Sequence, residues 1–281
     1  MNWLFLIRPI VGGRICHSDE TSFLKMSCFF FNYVYPGMAM KEMGKVGNPS
    51  ATNYEISWVK ILISILMRRR FPLFFAEIRK RLYSDIVYYI LRRDLTLPFP
   101  QPKTNISLTL RPIQGEDVPK LLSLEAPDLN NAEILERINL LRILKSDIHS
   151  CYVVATDDGI PCSMAWLILP AENNKIRHFF KGKILPLTPG EVLFEGVFTL
   201  EKYRKFGIQH WRRWQFFEKG VQLGAKWAVT YIHNSNIPSL KSVKRDGYEP
   251  YMVRKEKWRF FWRTFTFTKL PPQTPFPFDN V

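Results

Sequence analysis

Between Ile106 and Thr268, short runs that alternate apolar and polar residues are interleaved with longer runs whose apolar residues recur every three or four positions. A period of two belongs to strands and a period near 3.6 to helices, so this interleaving restricts the fold more than any other feature. Ile106–Leu110 reads as a strand, followed by a helix from about Glu116 that carries Val118, Leu121, Leu122 and Leu124. A second helix covers Asn131–Lys145, with Ile134, Leu135, Ile138, Leu141 and Leu144 on one face. Ser150–Thr156, a turn at Asp157-Asp158-Gly159 and Pro161–Leu169 form a hairpin pattern. A segment with Pro170, Gly182, Pro186 and Pro189 reads as a loop before the strand Glu191–Leu200. A helix over Gly207–Leu223, a strand over Lys226–His233, a helix over Asn236–Asp246 and strands over Tyr248–Glu256 and Arg259–Thr268 complete the pattern. This order predicts an α/β (α+β) domain over residues 106–270.

Upstream the pattern changes. Pro98, Pro100 and Pro102 in LTLPFPQPK disfavour helix and sheet ladder alike, so residues 96–105 read as an extended linker and a domain boundary. Residues 56–95 read as a basic amphipathic helical region in which Pro72 suits a first turn and Phe74, Phe75, Ile78, Leu82, Ile86, Val87 and Ile90 line one face. Arg68–Arg70, Arg79, Lys80, Arg81, Arg92 and Arg93 make it strongly basic. One reading is a helix packed on the following domain with its charges in solvent. A second is a helix on an acidic membrane surface, anchored by Trp58, Phe71, Phe74 and Phe75. Residues 1–55 carry turn and loop signals and five of the eight methionines, and read as an irregular extension or as sequence ahead of an internal start. Residues 271–281 form a Pro-rich, irregular tail.

With 46% apolar residues in 281, the chain can bury a core, which excludes a wholly disordered polymer. Its 40 Lys and Arg against 25 Asp and Glu give a net charge of +15, a balance that favours phosphates, acidic lipids or nucleic acid. No nucleic-acid-binding motif accompanies the charge, so no specific nucleic acid is expected. Cys16, Cys28, Cys151 and Cys162 form no C-x-x-C pair, which suits reduced thiols in a cytoplasmic protein. There is no H-E-x-x-H, no G-x-x-x-x-G-K-[ST] and no G-x-S-x-G, and no metal site is expected. The longest apolar run, Ile56–Met67, contains Lys60 and is shorter than the roughly 20 residues of a membrane span. The expected location is cytoplasmic, with peripheral membrane contact through residues 56–95 as the alternative.

The segment FTLEKYRKFGIQ passes from a strand into a helix. Unpaired amides and the positive end of a helix dipole collect there, and Gly207 lets the backbone approach a ligand closely. Lys202, Arg204, Lys205, Arg212 and Arg213 add positive charge, so a pyrophosphate is the natural guest. Arg204-Lys205-Phe206-Gly207-Ile208-Gln209 resembles the R-x-x-G-x-G/A loop with which GNAT-type N-acyltransferases hold the pyrophosphate of acetyl-CoA, with Gln209 in place of the usual Gly or Ala. Further on, Asn236, Ser239, Gly247 and Tyr248 keep the spacing of the family's N-x-x-[A/S]-x-x-x-Y-x-x-x-G-[F/Y].

The resemblance covers residues 106–268 and implies a GNAT-like mixed, mostly antiparallel central sheet flanked by helices. It also implies transfer of an acetyl or other acyl group from acetyl-CoA or another acyl-CoA to the primary amine of a small molecule or amino sugar. Phe198, Thr199 and Leu200 would then line the pantetheine arm, Arg204 to Gln209 the pyrophosphate, and Asn236 and Ser239 the supporting motif. The position of the family's tyrosine, often the acid that reprotonates the CoA thiolate, falls on Val243, which cannot donate a proton. The resemblance also implies that the strand before the loop splays at about Phe198–Leu200; for the base, Glu191 and Glu195 share one strand face, and Glu195 lies nearer that splay. A setting of Phe194 and Phe198 would raise its pKa, whereas the plainer reading pairs each carboxylate with a nearby Lys or Arg. Gln209 and Val243 leave a second function open, an acyl-CoA-binding module without turnover.

Overall fold

A computed structural model describes residues 58–67, 69–126 and 129–279. The irregular extension 1–55, Arg68 and the side chain of Trp58 lie outside the described residues. The elements are α1 (Trp58–Met67), α2 (Phe71–Leu82), β1 (Tyr83–Asp94), β2 (Leu108–Pro112), α3 (Asp117–Leu122), α4 (Asn131–Leu144), β3 (Cys151–Thr156) and β4 (Pro161–Ile168), then α5 (Asn173–Phe180), β5 (Glu191–Thr199), α6 (Ile208–Gln222), β6 (Trp227–His233), α7 (Ile237–Arg245), β7 (Glu249–Arg259) and β8 (Trp262–Lys269). They build one eight-stranded sheet in the order β2-β3-β4-β5-β6-β1-β7-β8. Its neighbours are antiparallel except β5 and β6, so the expected mixed, mostly antiparallel sheet is present.

Residues 83–94 depart most from the sequence reading: they form a central strand, not the end of a helix. The spacing of Ile78, Leu82, Ile86 and Ile90 satisfies a helix, but YSDIVYYILRRD is also rich in aromatic and β-branched residues that suit a pleated surface. Pairing on both edges decides between them. Tyr88 stands opposite His233 of β6 on one side and Arg254 of β7 on the other. The Pro-rich segment is therefore a connection within one sheet, not a boundary between domains.

That connection is packed. Arg93 donates through Nη2 to the carbonyls of Leu97 and Pro98 (3.3 and 3.1 Å). Phe99 meets Phe217 of α6 edge-on at 5.0 Å. Lys103 O lies 3.3 Å from where a Cβ on Gly207 would stand. An extended strap of about 3.1 Å per residue thus runs back along α6, which rises about 1.5 Å per residue, to the start of that helix.

The two sheet faces bury separate cores. One joins Ile90, Trp166, Leu193 and Val229 to Leu140 of α4 and Ile176 of α5. The other joins Leu91, Val192 and Phe194 to Phe216 and Phe217 of α6 and Leu240 and Val243 of α7. Helix α5 lies inside the segment read as a loop. Asn173 fixes it by exchanging two 2.8 Å hydrogen bonds with the backbone of Leu187, and Ile176 and Phe180 are buried. The described part of the tail, residues 271–279, holds only turns and irregular backbone, with Phe276 buried in the second core.

The last two strands meet three residues later than the sequence pattern places their break: Lys257–Arg259 end β7, Phe260 and Phe261 form the turn, and β8 begins at Trp262. Both turn residues are left-handed, with φ of 47° and 68°. A two-residue hairpin of this kind is the geometry for which Asn-Gly is preferred. Phe260→Asn should stabilise the fold by about 1 kcal/mol, read as a higher thermal midpoint. No helix among the described residues is long and apolar enough to cross a membrane.

Candidate functional site

Strands β5 and β6 run parallel over three residue pairs, Glu191, Val192 and Leu193 opposite Trp227, Ala228 and Val229, and then part. Thr230 Oγ1 donates to Phe194 O at 3.1 Å, satisfying a carbonyl at the fork. A bulge accompanies the divergence: the ladder with β4 passes from Trp166 opposite Glu195 to Met164 opposite Phe198, leaving Gly196 and Val197 without ladder partners. Gly196 has φ of 60°, and a Cβ there would come within 2.5 and 2.6 Å of the fully buried Trp166 ring. Gly196→Ala should therefore destabilise the protein by about 2–3 kcal/mol, measured by denaturant unfolding.

Beyond β5 the chain makes one 3-10 turn, Glu201–Tyr203, before α6. Lys205 (φ 72°) and Gly207 (φ 79°) are left-handed, and Gly207 is the N-cap residue of α6. The amides of Lys205, Phe206, Gly207, Ile208 and Gln209 find no acceptor among the described residues, whereas those of His210 and Trp211 bond to Gly207 O. Successive free amides at a helix N-terminus form an anion-binding concavity. Arg204, Lys205 and Phe206 are exposed, while the Ile208 side chain is buried against Val154 and Trp211. Arg204 Nε donates to Thr199 O (3.4 Å), and Nη2 lies 3.9 Å from Glu133 Oε1 at the start of α4. A diphosphate fits this combination of amides and exposed cations.

The predicted pantetheine contacts are partly engaged by the protein. Ser163 Oγ, fully buried, donates to Phe198 O at 2.5 Å and lies 2.9 Å from Thr199 Oγ1. Arg212 Nη1 donates to Ser163 Oγ. Leu200 N donates to Cys162 O. The stretch of β5 without a ladder partner on either side is instead Gly196–Val197, just beyond Glu195. Arg212 is almost completely buried, and that burial lowers its pKa to about 9, helped by Arg213 next to it.

Glu195 lies on the sheet face that also presents Tyr231 from β6, Tyr88 from β1 and Arg254 from β7. Arg254 is fully buried, donates to Lys183 O at 2.6 Å, and sits 4.0 Å above the Tyr88 ring. Its Nη2 lies 3.6 Å from Glu256, which also accepts from Trp258 Nε1 at 2.8 Å. Tyr231 accepts from the amide of Leu185 at 3.2 Å. Glu195 keeps part of its surface accessible, yet dense packing raises its pKa, with Lys183 and Arg254 opposing the rise. Burial likewise lowers the pKa of Lys183, against the pull of Glu195. The assumed aromatic cause needs correction: Phe194 faces the opposite core, against Phe216 and Phe217. Sequence reasoning missed Tyr88, Tyr231 and Arg254, which strand pairing brings to one face, and Lys183, which the segment after α5 brings against Arg254, because one sequence displays neither. Glu191 is placed elsewhere, at the start of β5, where it accepts the Thr188 amide at 2.8 Å, about 13 Å along the strand from Glu195.

The second motif caps and packs α7. Asn236 Oδ1 accepts the Ser239 amide at 3.2 Å, an N-cap bond. Val243 is buried between Leu240 and Tyr248. Asp246, only 2% exposed, holds His210 Nδ1 and Arg213 Nε of α6, and its carbonyl accepts Arg93 Nη1 at 2.6 Å. Gly247 is required behind it: φ is 79°, and a Cβ would collide with Arg93.

A mixed sheet that forks at its one parallel pair, with the forked strand leading into a free-amide loop and a helix, matches the architecture implied by the motifs. The fold is GNAT-like. No family model matches the chain, and no curated protein matches it. Among solved structures, a Drosophila protein is similar at 12% identity and a TM-score of 0.40, over 75% of this chain and 59% of that one. A glucosamine N-acetyltransferase region in a fungal multi-domain β-N-acetylglucosaminidase is similar at 14% identity and 0.45, over 71% and 23%. A GCN5-related N-acetyltransferase from Sphaerobacter thermophilus is similar at 13% identity and 0.40, over 66% and 56%. This chain spans less than two thirds of each of these proteins. Among the described residues no group of three or more His, Cys, Asp or Glu is placed to hold a metal ion.

Proposed function

We propose that this protein is an N-acyltransferase that moves an acetyl or other acyl group from acyl-CoA to the primary amine of a small molecule or amino sugar. The carrying observation is the row of five unpartnered amides from Lys205 to Gln209, beside Arg204 and at the end of the strand that bears Glu195. In this reading the amides, Arg204 and Lys205 bind the pyrophosphate, and the pantetheine arm lies along β5 toward the fork. Acyl-CoA supplies the electrophilic thioester carbon. Glu195, ionised, takes a proton from the acceptor ammonium, so that a neutral amine can form the new C–N bond as the C–S bond breaks. Val243 donates nothing, so the departing thiolate takes a proton from water, and water recovers one from the newly acylated nitrogen as it becomes the neutral amide. A cytoplasmic location accords with the free, buried thiols Cys151 and Cys162; burial pushes the Cys162 pKa up to about 11, which argues against a thiolate nucleophile.

Calorimetric titration with acetyl-CoA tests the reading. Arg204→Glu should weaken binding by about 10- to 100-fold, since it replaces a charge-assisted donor with a repelling charge. Unchanged affinity would place the pyrophosphate elsewhere. The buried Val243 favours a second reading, an acyl-CoA-binding module. Acetyl-CoA binding without thiol release across a panel of amines would select it.

A further inference from the structure

We propose that α2 and the tip of the β7–β8 hairpin form one surface that docks on an anionic lipid membrane. This goes beyond the acyltransferase reading and does not depend on it. Phe75 is 60% exposed, Tyr83 67%, Phe260 80% and Trp262 80%, large apolar areas for side chains that a soluble surface gains nothing by displaying. They are contiguous. Phe75, Arg79, Lys80 and Tyr83 line one shallow concavity. The Phe260 amide donates to Leu82 O at 2.8 Å, joining the hairpin tip to the end of α2. Arg259 stacks 3.8 Å above the Tyr83 ring and stands opposite Trp262 in the ladder.

The charge of the surface selects the occupant. Asp85 is engaged by Arg259 at 2.9 and 3.0 Å. Among the described residues no carboxylate lies within 4.0 Å of Arg79, Lys80, Lys255 or Lys257. Exposed aromatic side chains at a hairpin turn and a helix end, bordered by unneutralised cations, match the headgroup layer of an acidic bilayer, where rings insert and Lys and Arg meet phosphate. The turn points the same way. Phe260 holds a left-handed conformation that Asn would adopt with less strain, so an exposed aromatic is retained at the tip against the backbone's preference.

The test is co-sedimentation of the full chain with vesicles of three parts phosphatidylcholine to one part phosphatidylserine, beside vesicles of phosphatidylcholine alone. Binding should require phosphatidylserine and weaken as salt is raised. Arg79→Ala with Lys80→Ala should weaken it by about 25-fold, from roughly fivefold per surface cation. Phe260→Asn with Trp262→Ser should weaken it by about tenfold or more. The first change relaxes the turn, so a folded variant with a thermal midpoint no lower than the parent's is expected. Trp262→Phe should remove fluorescence quenching by brominated lipid while binding persists. No binding to the mixed vesicles, or equal binding by all variants, overturns the proposal. So does reversible self-association, without vesicle binding, that Phe260→Asn with Trp262→Ser abolishes, since a second copy would then occupy the surface.

Discussion

Glu195→Gln should lower kcat for acyl transfer by about 10²- to 10⁴-fold and leave the affinity for acetyl-CoA nearly unchanged. The amide keeps the shape of the side chain but cannot accept the ammonium proton, and the pyrophosphate loop is untouched. The pH profile gives an independent readout. Burial raises the Glu195 pKa, so the acid limb of kcat/KM should lie above the ordinary glutamate value of about 4.3. Activity rises with pH through that point, because the group is a base only when ionised. For stability the sign reverses: a raised carboxyl pKa in the fold favours the protonated form, and that contribution is lost as pH rises through the folded-state pKa. Glu195→Gln should therefore be neutral or stabilising near pH 7. A variant that keeps its kcat or its acid limb would remove Glu195 from the reaction.

Asp246→Ala should destabilise the protein by about 3–5 kcal/mol, because a buried ion pair loses one partner and leaves the other charge uncompensated. Asp246 is the only carboxylate paired with Arg213 among the described residues, and Arg213 is 8% exposed. For a chain of this size the expected fall in thermal midpoint is on the order of 10 °C, followed by circular dichroism. Lys244→Ala, which breaks a surface pair with Asp279, is the control and should cost at most about 1 kcal/mol. Equal effects would mean that the Asp246 cluster does not lock α6 to α7.

The helix and strand pattern after residue 106 was legible where one period dominated. CYVVAT and EVLFEGVFT alternate or run apolar over strand lengths, and both are strands. The pyrophosphate-type loop was legible because its cations, its glycine and the strand-to-helix switch are adjacent in sequence. Residues 83–94 were not, because their apolar residues satisfy two periods at once and only the partners β6 and β7 choose between them. The surroundings of Glu195 come from β1, β6 and β7 and the segment after α5, so no local window contains them. Arg93 and Asp246 meet across most of the chain, and neither carries a local sign of the other. Helix α5 was hidden by its flanking prolines and glycine, although its apolar residues are helix-spaced.

The position of β1 has a consequence for the order of assembly. Strands β2 to β5 form an antiparallel meander, and β7 and β8 a hairpin, from neighbours in the chain. Between those two blocks β1, the first of the described strands to be synthesised, has no partner until residues 227–259 have followed. Its pairing is the long-range closure that joins the two halves, and loop closure over that separation is slow. During that interval β1 offers two unpaired, largely apolar edges, which is when a chain of this topology is most exposed to association with its own copies.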